Sequence, residues 1–203
     1  MSSPSLAAIL EAALFVAGEP LSLERLQQLF AEPDRPDRAT LRRQLQQLQQ
    51  AATTRGVELV EVATGWRYQS RAELAPWLSR LWEERPPRYS RALLETLALI
   101  AYRQPITRAE IETIRGVAVS SQIMRTLQER GWIRIIGHRE VPGRPGLYAT
   151  TRAFLDHFNL QSLDQLPALA ELRDLEQFDA EVERRLTQRH LSPGESETDE
   201  QAT

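Results

Sequence analysis

The feature that most constrains this chain is an internal repeat: GEPLSLERL at residues 18–26 is echoed by RQPITRAEI at residues 103–111. Each copy sits where one apolar helical stripe ends and another begins. Its proline, apolar residue and hydroxyl cap would fix the start of the second helix. A chain built from one unit used twice needs two small cores, and 203 residues with 41% hydrophobic content suffice for that.

The elements around each copy follow one plan. Leu6, Ile9, Leu10, Ala13, Leu14 and Ala17 recur at helical spacing, and Gly18 with Pro20 stops the run. Ser22 caps a second helix carrying Leu23, Leu26, Leu29 and Phe30, closed by the proline-rich segment 33–37. Leu41, Leu45, Leu48 and Ala52 make a third helix that ends before Gly56. The period then changes to that of strands: Val57, Leu59, Val60 and Val62, a Thr64-Gly65 turn, and a return through Trp66 to Gln69. A short helical piece holds Leu74, Trp77, Leu78 and Leu81, and the charged segment 83–88 with Pro86-Pro87 reads as a stiff connector. Beyond it, Leu93, Leu94, Leu97, Ala98 and Ala101 form a helix and Thr107 with Glu110 forms a capping box for the next. Ser120 or Ser121 caps a third, and Trp132 to Ile136 and Leu147 to Thr150 read as strands around a Pro/Gly-rich loop at 138–146.

Three helices and a hairpin are the winged form of a helix-turn-helix. The fold class expected is therefore mainly α with small β-hairpins (α+β): two tandem winged-helix domains at residues 1–84 and 85–160. A C-terminal helical extension follows at 161–191, where Leu172, Leu175, Phe178, Val182 and Leu186 share a face, and a disordered acidic tail at 192–203.

Composition narrows the function. All 25 basic residues are arginine, 28 acidic residues outweigh them, and the formal net charge is −3, which argues against a protein whose affinity comes mainly from phosphates. With no cysteine there is no disulfide framework or thiolate metal site, so a cytoplasmic setting is expected. The apolar run from Leu6 to Ala17 has no basic residue before it and falls short of the ~20 residues that span a bilayer, so neither a signal peptide nor a membrane helix is expected. His138, His157 and His190 lack neighbours at metal-ligand spacing, and neither a P-loop, a dinucleotide fingerprint nor an H-E-x-x-H helix occurs. No enzyme, cofactor or metal is expected.

Two surfaces stand out. Glu11 is the single charged residue between Leu6 and Ala17, and Leu93 to Ala101 is nearly as apolar; a small domain buries one helical stripe, not the circumference. Such helices predict a second apolar contact, with the other module, a second copy or a partner helix. On the second module, Arg139 and Arg144 project from the wing, and the third helix, Ser120 to Gly131, offers Arg125 and Arg130 among polar residues. A base-reading helix would use such a face, so a winged-helix transcription regulator stands as the alternative.

Longer segments carry a family resemblance. SRALLETLALIAYRQPITRAEIETIRGV, RTLQERGWIRIIG and VPGRPGLYATTRAFLDHFNLQSLDQLP resemble the second winged-helix domain of the segregation and condensation protein B family, and LEAALFVAGEPLSLERL and ELVEVATGWRYQSRAELAPWL resemble the first. The likeness runs from about Leu6 to Leu172 and departs from the usual pattern at Ala118 to Ile123 and at Gly146-Leu147-Tyr148. It implies a non-enzymatic adaptor of the bacterial SMC–kleisin complex, acting in chromosome condensation and segregation at the nucleoid. As a homodimer paired through its N-terminal modules, it would hold the kleisin ScpA and, through it, the SMC ATPase, with DNA contact indirect or weak at most. Under that resemblance Leu6, Ile9, Leu10, Leu14 and Phe15 are the candidate dimer residues, and Ile111, Ile114, Arg139, Arg144 and Tyr148 the candidate kleisin contacts.

Overall fold

Helix α1, Leu6–Ala17, begins where the Ser5 hydroxyl accepts from the Ala8 amide at 3.2 Å and ends at Gly18, whose φ of 65° is the left-handed stop that glycine supplies. The computed structural model describes residues 4–81 and 89–167. The connector at 83–88, the helix face from Leu172 to Leu186 and the acidic tail lie outside the described residues.

In the N-terminal half, α2 spans Leu23–Gln27, capped by Ser22 as expected, and α3 spans Arg38–Ala51, capped by Asp37. Helix α2 is shorter than the apolar spacing suggested. A tighter turn, with the Phe30 amide on the Gln27 carbonyl, replaces the last helical turn, and Leu29 points to solvent while Phe30 packs on the core. Strands β1 (Val57–Val62) and β2 (Gly65–Ser70) pair antiparallel around Thr64-Gly65, with Val62 opposite Gly65. Leu10, Leu14, Leu21, Leu26, Leu41, Leu45, Leu59 and Trp66 close one core between the helices and the hairpin. Each such leucine contributes roughly 1.5–3 kcal/mol by leaving water. A short helix α4, Ala75–Leu78, follows.

The C-terminal half repeats the order. Helix α5 (Arg91–Arg103) is capped by Ser90, α6 (Arg108–Arg115) carries the full Thr107/Glu110 capping box and stops at Gly116, and α7 (Ser121–Glu129) is capped by Ser120. Strands β4 (Ile133–His138) and β5 (Gly146–Thr150) form the hairpin. A two-residue strand β3, Ile106–Thr107, adds to β5, giving the antiparallel order β3-β5-β4. Mixed helix and small antiparallel sheets are thus the class of this fold. Leu93, Leu97, Ile100, Ile111, Met124, Leu127, Trp132, Ile133 and Phe154 fill its core. Thr96, also buried, donates to the Ala92 carbonyl at 2.8 Å and accepts from Arg115.

Helix α8 (Arg152–His157) is held by Thr151, which caps it through Phe154 and whose amide reaches the Trp132 carbonyl at 3.0 Å. It is also where the two halves meet. The Asp156 carboxylate accepts from the Thr64 amide at 3.0 Å and from the Thr64 hydroxyl at 2.7 Å.

Candidate protein-interaction surfaces

A helix against a core shows water the positions its stripe leaves over, and on α1 these are Ala8, Ala12, Phe15 and Val16. Leu10 and Leu14 point inward and are fully covered within this half. Leu6 and Ile9 are half-buried at the margin, whereas Phe15 is 80% and Val16 82% exposed. Of the five apolar residues singled out on this helix, the structure therefore leaves only Phe15 fully available to a second surface. Val16 joins it, a neighbour that apolar content alone could not rank.

Phe15 and Val16 rim an open cleft of about 740 Å³ between α1 and the hairpin, lined also by Glu11, Arg55, Val57 and Tyr68. Arg55 pairs with Glu11 at 2.7 Å, which neutralises the one charge on the helix face. Burial pushes the Tyr68 phenol above its ordinary range and the Glu11 carboxylate adds to the shift, with Arg55 opposing it. Tyr68 therefore stays a neutral donor at neutral pH.

On the C-terminal half the cleft to consider lies between the end of α5, α6 and the hairpin loop. It holds about 410 Å³ and is lined by Arg103, Pro105, Ile106, Glu110, Thr113, Ile114 and Arg139. Two candidate residues, Ile114 and Arg139, thus come together across it, and Ile114 is 53% exposed. Ile111 faces the opposite way and is fully buried, supporting the cleft without reaching it. Arg139 donates to Glu110 Oε1 at 2.7 Å, while Glu110 Oε2 accepts from the Thr107 amide. The Thr107 amide, then its hydroxyl, and Arg139 beyond them hold the Glu110 carboxyl below its usual range. Tyr148 sits half-buried in β5 between β3 and β4, and Arg144 stands exposed on the hairpin loop with φ 38°. Sequence reasoning passed over Arg103 and Val117; the latter, just past the Gly116 stop, is 56% exposed beside the same helix.

The face a base-reading helix would use is less cationic than its composition suggests. Arg125 lies 3.9 Å from Glu129, Arg139 is paired with Glu110, and Arg130 stacks over Tyr89 at 4.7 Å and Trp132 at 5.4 Å. His157 packs on Trp132 with ring centroids 4.5 Å apart; burial, then Arg130 and Arg67, lower its pKa. Among the described residues no cluster of three His, Asp or Glu could hold a metal ion, and no helix is long and apolar enough to cross a membrane.

The family model described as "Segregation and condensation complex subunit ScpB" matches residues 8–169. The chain is similar to the segregation and condensation protein B homolog of Coxiella burnetii, at 55% identity over 173 residues, covering 85% of this chain and 83% of that protein. It is similar as well to segregation and condensation protein B of Syntrophotalea carbinolica, at 45% identity, covering 86% of this chain and 87% of that one. Among solved structures, ScpB from Mycobacterium tuberculosis is 34% identical over 78% of this chain and 99% of its own, with a TM-score of 0.35, a value that by itself relates no detail of the two folds.

Proposed function

Because this chain belongs to the segregation and condensation protein B family, we propose that it is a non-enzymatic adaptor subunit of a bacterial SMC–kleisin complex. It works in chromosome condensation and segregation as a homodimer that holds the kleisin ScpA, and through it the SMC ATPase, at the nucleoid in the cytoplasm. Its two halves are tandem winged-helix domains, residues 1–84 for self-association and 85–160 for the kleisin. The observation that carries this reading is the pair of separate surfaces: an α1 face on which Phe15 and Val16 are about four-fifths exposed, and a cleft bringing Ile114 to Arg139. Large apolar side chains left in water at the rim of a groove favour a protein partner over a small substrate.

On this reading Phe15 and Val16 form the centre of the dimer contact, Leu6 and Ile9 its edge, and Leu10 and Leu14 the support beneath. Ile114, Arg139 and Arg103 face the kleisin, with Tyr148 and Arg144 beside them and Ile111 underneath. The transcription-regulator alternative has less support, since Arg125 and Arg139 lie close to acids of the same chain and the net charge is −3.

Titration calorimetry of ScpA from the same genome into the full chain tests the kleisin surface. Ile114→Asp should weaken binding at least tenfold while leaving thermal unfolding near that of the parent, because half of that side chain already lies in water. Equal affinity of parent and variant would remove the cleft from the kleisin surface.

A further inference from the structure

The two halves meet at the Thr64 turn and the end of α8, and the chemistry there is more specific than packing requires. Asp156 Oδ1 takes the Thr64 amide at 3.0 Å and Oδ2 takes its hydroxyl at 2.7 Å, so one residue satisfies both carboxylate oxygens. Arg67 donates to the Asp156 carbonyl and to Asn159 Oδ1, both at 2.8 Å, and the Ala63 amide reaches the Leu160 carbonyl at 3.0 Å. Asn159 has φ 56°, the left-handed conformation that turns the chain out of α8 and brings Leu160 to Ala63. Charge-assisted bonds with two fixed directions hold an angle as well as a distance.

Neither side of this contact is free to drift alone. The turn is tied to its own core: Leu21 and Trp66 exchange backbone hydrogen bonds of 2.9 Å, Trp66 is buried, and a Cβ on Gly65 would stand 2.2 Å from the Leu21 carbonyl oxygen. Helix α8 is tied to the other core by buried Phe154 and by Thr151, whose amide and hydroxyl reach the carbonyls of Trp132 and Gly131.

We infer that the Thr64–Asp156 contact is an interdomain latch that sets the angle between residues 4–81 and residues 89–164, with a closed position when Asp156 holds Thr64 and an open one when it does not. The latch thereby fixes how the α1 face carrying Phe15 is presented relative to the Ile114 cleft. A partner that engages α8 or the hairpin turn changes that angle by competing for the same donors and acceptors.

The chain has no cysteine, so Arg43→Cys on α3 and Gln128→Cys on α7, both exposed, accept spin labels specifically. Dipolar electron resonance on the full chain, diluted in excess unlabelled protein so that distances within one chain are read, reports the angle. The latch predicts one narrow distance distribution. It predicts that Asp156→Ala and Thr64→Val each broaden it, and that the double variant goes no further than the wider single, since the two residues share one contact. Circular dichroism of each variant checks that both cores stay folded, and Thr64→Val, which preserves shape, carries the test if Asp156→Ala does not fold. A distribution already broad in the parent, or one unchanged in folded variants, would overturn the inference.

Discussion

Replacing Phe15 by serine removes an aromatic ring that is 80% exposed in the single chain and touches the solvent side of α1. An aromatic side chain presents about 150–250 Å², so covering the exposed part of this ring removes at least about 120 Å² from water, or about 3 kcal/mol at ~25 cal/mol per Å². A two-fold interface contains the ring twice, about 6 kcal/mol in all. Ordering the side chain in each copy offsets about 1 kcal/mol per ring, which leaves about three decades in the dimer dissociation constant. Sedimentation velocity across a concentration series measures that constant directly. Phe15→Ser should sediment as a monomer at concentrations where the parent is dimeric, with the folded spectrum retained, because the ring contributes little to its own core. A dissociation constant within threefold of the parent would refute the placement of the interface on this face. Leu10→Asp and Leu14→Asp cannot serve for this purpose, as both side chains are core and a carboxylate there would unfold the module.

Gly65→Ala should destabilise the N-terminal half by more than about 1 kcal/mol in denaturant unfolding, since φ is 151° and the added carbon meets the Leu21 carbonyl; a neutral substitution would contradict the close approach. Glu110 has a folded pKa below its ordinary 4.5, held there first by the Thr107 amide, so the unfolded chain takes up the proton first as pH falls. Its contribution is therefore complete at neutral pH and is lost as pH drops from about 4.5 through the folded value. Glu110→Gln should lower the unfolding midpoint at pH 7 and leave it less sensitive to acid, and parallel acid profiles for the two proteins would show that the capping charge does not matter.

How much of this was legible in the sequence follows from how local each signal is. The helix starts at Ser22, Thr107 and Ser120 and the stops at Gly18 and Gly116 are set within one turn by residues whose chemistry names their role. Strand β3 left no comparable trace, because two residues become a strand only through pairing with Leu147 and Tyr148, forty residues later in the chain. On α1 the difficulty was that every candidate is apolar: Leu10, Leu14 and Phe15 read alike until the hairpin and α3 show which side is covered. Ile111 and Ile114 divide in the same way, one into the core and one onto a rim. The Thr64–Asp156 contact joins residues 92 apart, and nothing in the composition of either neighbourhood announces it.

The central claim, a dimeric adaptor that carries a kleisin, is most directly tested by light-scattering mass after size exclusion, on this chain alone and after mixing with ScpA from the same genome. The account predicts twice the 23.2 kDa chain mass alone and a larger complex once ScpA is added. A monomer whose elution and mass are indifferent to ScpA would contradict it.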